Sequence, residues 1–130
     1  MNKSLYTVLL LATLILLNTA TPAPADRLPP CPDSPNCVSS QADDERHFIE
    51  PLSYSGDSQV AWDTLVSIVQ SWKRTMILDQ EDHYLHAGVR SRVFRFVDDV
   101  ELLLNSEAKR IHVRSASRTG YSDFGVNRRR

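Results

Sequence analysis

The sequence predicts an α+β domain of two layers, with one long helix packed on an antiparallel sheet of about four strands. Three observations predict it. Apolar residues recur at helical spacing between Ser58 and Lys73. Alternating, strand-like runs follow that helix. Short turns join the runs, which favours antiparallel pairing with the helix covering one face.

At 130 residues the chain holds one domain at most. Its 42% apolar and 24% charged content is ordinary for a globular protein. The net charge of −1 argues against a dedicated nucleic-acid binder, since no global basic field collects phosphates. Charge is nonetheless uneven. From Lys109 onward seven Lys/Arg stand against one acid, Asp123, a net +6, while Asp26 to Ala108 carries seven Lys/Arg against fifteen acids, a net −8. A local basic site on an acidic body is one consequence; mutual neutralisation within the fold is the plainer one.

Residues 1–25 read as a secretory signal peptide. Lys3 precedes an apolar run from Leu5 to Leu17, and Ala23-Pro24-Ala25 supplies small residues at a cleavage site. The run is shorter than the ~20 apolar residues of a transmembrane helix, so no membrane span is expected in the mature chain. Cleavage after Ala25 leaves residues 26–130 as a single mature domain, exported to a periplasmic or extracellular space. Pro29 and Pro30 stand where a lipoprotein signal carries small residues, which argues against a lipid anchor on Cys31.

Asp26 to Pro35 is too proline-rich for regular structure. An oxidising compartment predicts that Cys31 and Cys37 pair as a structural disulfide. A redox role would more typically place two residues between the cysteines, and the four histidines show no zinc spacing. Asp43-Asp44-Glu45 is a solvated turn. His47 to Tyr54 is a short extended segment anchored by Ile49, Leu52 and Tyr54, with Pro51 confining it to an edge.

Gly56-Asp57-Ser58 is a turn and N-cap signal, opening a helix from Ser58 to Lys73. Ala61, Leu65, Ile68 and Trp72 form its stripe, joined by Trp62, Val66 and Val69. Strands are expected over Thr75–Asp79, His83–Ser91, Phe94–Asn105 and Arg110–Ser117. Asp98-Asp99 suggests a bulge or bend in the third, and Asn105 to Lys109 supplies the hairpin turn before the fourth. The sheet side away from the helix then carries His86, Arg90, Asp99, Glu101, His112 and Arg114.

The last twenty residues run Arg, Ser, Tyr, Asp and Asn together with few fillers. They are the candidate ligand-binding segment. Arg114 and Arg118 supply forked, charge-assisted donors, with Arg128 at the basic end. Ser115, Ser117, Tyr121 and Asn127 would orient a ligand, while Asp123 holds an arginine in place; the rival reading is that this network simply locks the last strand to the proline-rich head. No serine lies in a Gly-x-Ser-x-Gly elbow, no phosphate-binding glycine loop is present, and no catalytic residue, metal or cofactor is assigned. The expected function is therefore a non-enzymatic cell-envelope binding module for a small anionic or polar ligand. A structural or assembly role through an envelope protein partner is the alternative, and a hydrolase is ranked last.

Pro30-Cys31-Pro32-Asp33-Ser34-Pro35-Asn36-Cys37-Val38-Ser39-Ser40, His47-x-Ile49-x-Pro51-Leu52-x-Tyr54, Phe94 to Glu101, and Ile111 to Arg118 continuing through Asn127-Arg128-Arg129-Arg130 resemble the uncharacterised family called domain of unknown function 1499. Four motifs in order cover nearly all of the mature chain. The resemblance implies no activity. It implies exported or lipid-anchored bacterial relatives, others in photosynthetic organisms, and a further helix that usually follows the Asn-Arg-Arg-Arg segment.

Overall fold

The computed structural model describes residues 26–130, so the signal-peptide reading of residues 1–25 lies outside the described residues. Among these residues six strands and two helices follow one another: β1 (Cys37–Ser39), β2 (Leu52–Ser53), α1 (Ser58–Ser71), β3 (Thr75–Gln80), β4 (Tyr84–Arg90), β5 (Val97–Asn105), β6 (Arg110–Ser117) and α2 (Val126–Arg129). The sheet order is β1-β6-β5-β4-β3, with β2 also beside β6, and every strand pair is antiparallel.

This corrects the expected architecture of one long helix on about four strands. The sheet dominates with six strands, and α1 has 14 residues. The two additional strands are three and two residues long, too short to show alternation in sequence. They form because the outer edge of β6 carries backbone groups that need partners. β2 covers its first half through Leu52↔Ile111, and β1 covers its second half through Val38↔Ser115. The Cys31–Cys37 disulfide ties the proline-rich segment to the start of β1.

Helix α1 starts where the residues predict. The Asp57 side chain accepts from the Val60 N–H at 3.0 Å. It ends two residues early, because Trp72 turns extended and Arg74 adopts a left-handed φ of 62°. Trp62, Val66 and Val69 are its buried residues, and Ile68 is 48% exposed, so the packed face is rotated from the expected stripe. These three side chains meet Leu85, Ala87, Leu102 and Ile111 of the sheet, with Leu65, Tyr54 and Trp72 at the margin.

β5 also departs from expectation. Phe94 to Phe96 lie outside it, and Asp98-Asp99 does not interrupt it: the β4–β5 register is continuous from Tyr84↔Leu103 to Arg90↔Val97. Both carboxylates find cross-strand donors, so neither breaks the ladder. The register shift falls in β3 instead, between Ile77 and Asp79.

Candidate functional site

Residues paired across an antiparallel sheet share a face. Ala87, Val100, Ser115 and Val38 thus lie on the α1 side, whereas His86, Glu101 and Arg114 lie on the other. Helix α1 covers only the apolar part of its face. The polar part, around Asp98, Ser115 and Ser117, is covered by the C-terminal segment.

That cover is a closed hydrogen-bond network. Asn127, buried, donates through Nδ2 to Asn36 O at 3.1 Å, Ser117 Oγ at 2.9 Å and Asp123 Oδ2 at 2.7 Å, and accepts from Ser115 Oγ at 2.6 Å. Arg130 donates to Asp98 Oδ2 at 2.6 Å, and Ser117 Oγ donates to Asp98 Oδ1 at 2.7 Å. Asp123 accepts the N–H groups of Gly125 and Asn127. Burial pushes the Asp123 carboxyl up, but those backbone and side-chain donors outweigh it and leave it below the usual carboxylate value.

The predicted ligand residues therefore separate. Ser115, Ser117, Asp123 and Asn127 come together, but with their polar groups turned inward on one another. Arg128 donates to the carbonyls of Phe48 and Arg46, fastening α2 to the segment after β1. Tyr121 is 70% exposed. Arg114 and Arg118 lie apart from this network, on the far face.

There the charged side chains form two units. Glu101 accepts from Arg114 at 2.7 Å and from the Tyr84 hydroxyl at 2.9 Å. Burial, then the bond to Glu101, pushes the Tyr84 hydroxyl well above its usual value. Asp99 accepts from Arg118 Nε at 2.9 Å and NH2 at 2.7 Å, a two-pronged pair, and its Oδ1 lies 2.7 Å from His86 Nε2. Burial raises the Asp99 carboxyl, and Arg118 and His86 more than reverse it.

Beside Arg118 the far face opens into a cleft of about 380 Å³ at the corner formed by β3, β4 and the start of β5. Its apolar lining is Met76, Leu78 and Val97, with Gly88 between them. A side chain at Gly88 would begin 3.4 Å from Leu78 Cδ1 and 3.5 Å from Val97 Cγ1, so the glycine keeps the floor low. Among the described residues five arginines rim the cleft, Arg74, Arg90, Arg92, Arg95 and Arg118, and no carboxylate lines it. Among the described residues only Arg118 of these five makes an ion pair. Such a surface suits a ligand with an anionic head and an apolar body.

Sequence reasoning placed Arg118 in the ligand set and Arg90 on the far face, but left Arg74, Arg92 and Arg95 out. The available signal was Arg92-Val93-Phe94-Arg95-Phe96, where arginines alternate with apolar residues; reading Phe94 onward as strand hid it. Other polar groups offer less. Ser40 Oγ lies 3.2 Å from His112 Nδ1 but is buried and accepts the Val113 N–H at 2.9 Å. His47 lies 2.8 Å from Asp44 and 3.0 Å from the Ser34 carbonyl, both ring nitrogens engaged. Among the described residues, no three His, Cys, Asp or Glu side chains converge as a metal site. No helix there is long and apolar enough to cross a membrane.

The model of a family described as protein of unknown function (DUF1499) matches residues 27–130. No curated protein and no solved structure matches the chain.

Proposed function

Because the chain belongs to the DUF1499 family of proteins of unknown function, we propose from its geometry that it is an exported, non-enzymatic binding protein for an anionic amphiphile. The observation that carries this is the cleft: five guanidinium groups around an apolar floor, with no carboxylate in the lining among the described residues. Arg118, held by Asp99, presents a pre-positioned edge of charge, and the four other arginines leave their charge available to a ligand. Met76, Leu78 and Val97 would take the apolar body, and Gly88 leaves it room. Export is supported by the signal-like residues 1–25 and by the Cys31–Cys37 disulfide. The inward-turned bonds of Ser115, Ser117 and Asn127 favour a structural role for those residues and narrow the ligand contact of the terminal run to Arg118.

Titration calorimetry with dodecyl phosphate tests it, using inorganic phosphate and dodecyl maltoside as controls. Dodecyl phosphate is expected to bind more tightly than either control. Arg90→Gln should weaken it by about tenfold, the loss of one charge-assisted contact. Equal affinity for dodecyl maltoside would remove the role assigned to the arginines.

A further inference from the structure

We propose that the loop between β4 and β5 docks this protein onto an anionic phospholipid bilayer. The loop tip is Arg92-Val93-Phe94-Arg95, followed by Phe96. Val93 is 76% exposed, Phe94 74% and Phe96 53%. Single exposed apolar residues are common on any surface, but a contiguous apolar tip marks a contact region.

The tip is built rather than slack. The Ser91 N–H donates to Phe96 O at 2.8 Å, and the Phe96 N–H donates back to Ser91 Oγ at 3.0 Å, which pins the two ends. Arg95 takes a left-handed φ of 58°, and the Phe94 and Phe96 rings stack with centroids 5.7 Å apart. The aromatic side chains are thus held together in solvent at the end of a two-stranded arm.

Charge decides what the tip meets. Arg92 and Arg95 flank Val93 and Phe94, and both also rim the cleft with three further arginines, so basic and apolar surfaces are continuous. No acid occurs from Ser91 to Val97. An anionic bilayer satisfies both halves at once: the acyl boundary receives Val93 and Phe94 while headgroup phosphates receive the arginines. The docking stands on the loop. That the bilayer also supplies the cleft with its amphiphile rests on the reading of the cleft given above.

Co-sedimentation with vesicles tests the docking, comparing mixed phosphatidylglycerol and phosphatidylcholine with phosphatidylcholine alone. The full mature chain is expected to bind the anionic vesicles, to be released by added salt, and to ignore the neutral ones. Neutralising both tip arginines, Arg92→Gln with Arg95→Gln, should lower partitioning roughly 25-fold, about fivefold for each charge. Val93→Ser with Phe94→Ser should lower it by about tenfold or more. The serine pair should keep its thermal midpoint and its affinity for soluble dodecyl phosphate, because neither residue lines the cleft. A wild-type chain that binds dodecyl phosphate but not anionic vesicles rejects the docking and leaves the cleft reading standing. Unchanged vesicle binding by the serine pair rejects the loop. A dimer in sedimentation equilibrium that Phe94→Ser dissolves would assign the tip to a second copy and reject the proposal.

Discussion

Asp98 and Asp99, consecutive in β5, serve opposite faces of the sheet. Asp98 accepts from Ser117 and Arg130 under the C-terminal segment, while Asp99 accepts from Arg118 and lies beside His86 on the cleft side. One peptide bond thus separates the anchor of the structural cap from the anchor of the proposed ligand arginine.

The two aspartates are expected to behave independently. Asp98→Asn should cost about 3 kcal/mol, because the mostly buried Arg130 guanidinium loses its carboxylate. In a double-mutant cycle by urea denaturation, Asp98→Asn with Arg130→Gln should show a coupling of about 0.5–3 kcal/mol, whereas Asp99→Asn with Arg130→Gln should be additive. Strong coupling in the second pair would contradict the separation of faces.

Neighbouring helix residues offer a second test, of how α1 is rotated. Val69 is wholly buried and Ile68 is half exposed. Val69→Ala should therefore lose about 1.5–3 kcal/mol, and Ile68→Ala less than about 0.5 kcal/mol. The reverse ranking in chemical denaturation would mean a different packed face.

At Gly88, fold and ligand make opposite demands. An added methyl would sit at ordinary contact distance from Leu78 and Val97, and β4 is regular there. Gly88→Ala is expected to raise stability by roughly 0.5–1 kcal/mol by stiffening the unfolded chain. It should also reduce dodecyl phosphate affinity by filling the floor. Improved stability together with improved affinity would show that the ligand does not approach this glycine.

Stability should fall with acid in two stages. Burial, and then the nearby Arg110, lowers the His112 value, so the fold prefers the neutral ring. That contribution is present above the unfolded value of about 6.5 and is lost as pH falls through the lower folded value. Asp99 and Asp123 are also depressed in the fold. Their contribution is complete above about pH 4 and disappears as pH falls through their folded values. Thermal midpoints measured from pH 7.5 downward should decline first near the histidine range, and His112→Gln should abolish that first decline. A flat wild-type profile down to pH 5 would count against the His112 assignment.

The elements with long periodic patterns were legible in the residues. β6 spans the expected Arg110–Ser117, and α1 begins at its Asp57 cap. The shortfalls have physical causes. β1 and β2 are too short to carry a period and exist only because β6 offers them an edge. Asp98-Asp99 resembled a break because sequence cannot show that each carboxylate has its own donor across the sheet. At the candidate site, Arg118 was legible as a forked donor. The partnership of its neighbours with one another was not, since Asn36 and Asn127 meet across a sequence separation of 91. The cleft itself draws arginines from the residue before β3, the end of β4, the loop from β4 to β5 and the residue after β6, and no local window contains them all.

The central place of β6 also bears on the order in which the chain can assemble. β3 to β6 are joined by successive hairpins, so their contacts close short loops and can form early. β1 and β2 must instead find β6 across most of the described chain: Val38 pairs with Ser115, and Leu52 with Ile111. The proline-rich head therefore has no seat until β6 is in position, and the outer edge of β6 is covered by the two strands that come earliest among the described residues. Until then the outer edge of β6 is an open template, the moment at which this protein is most exposed to pairing with a neighbour.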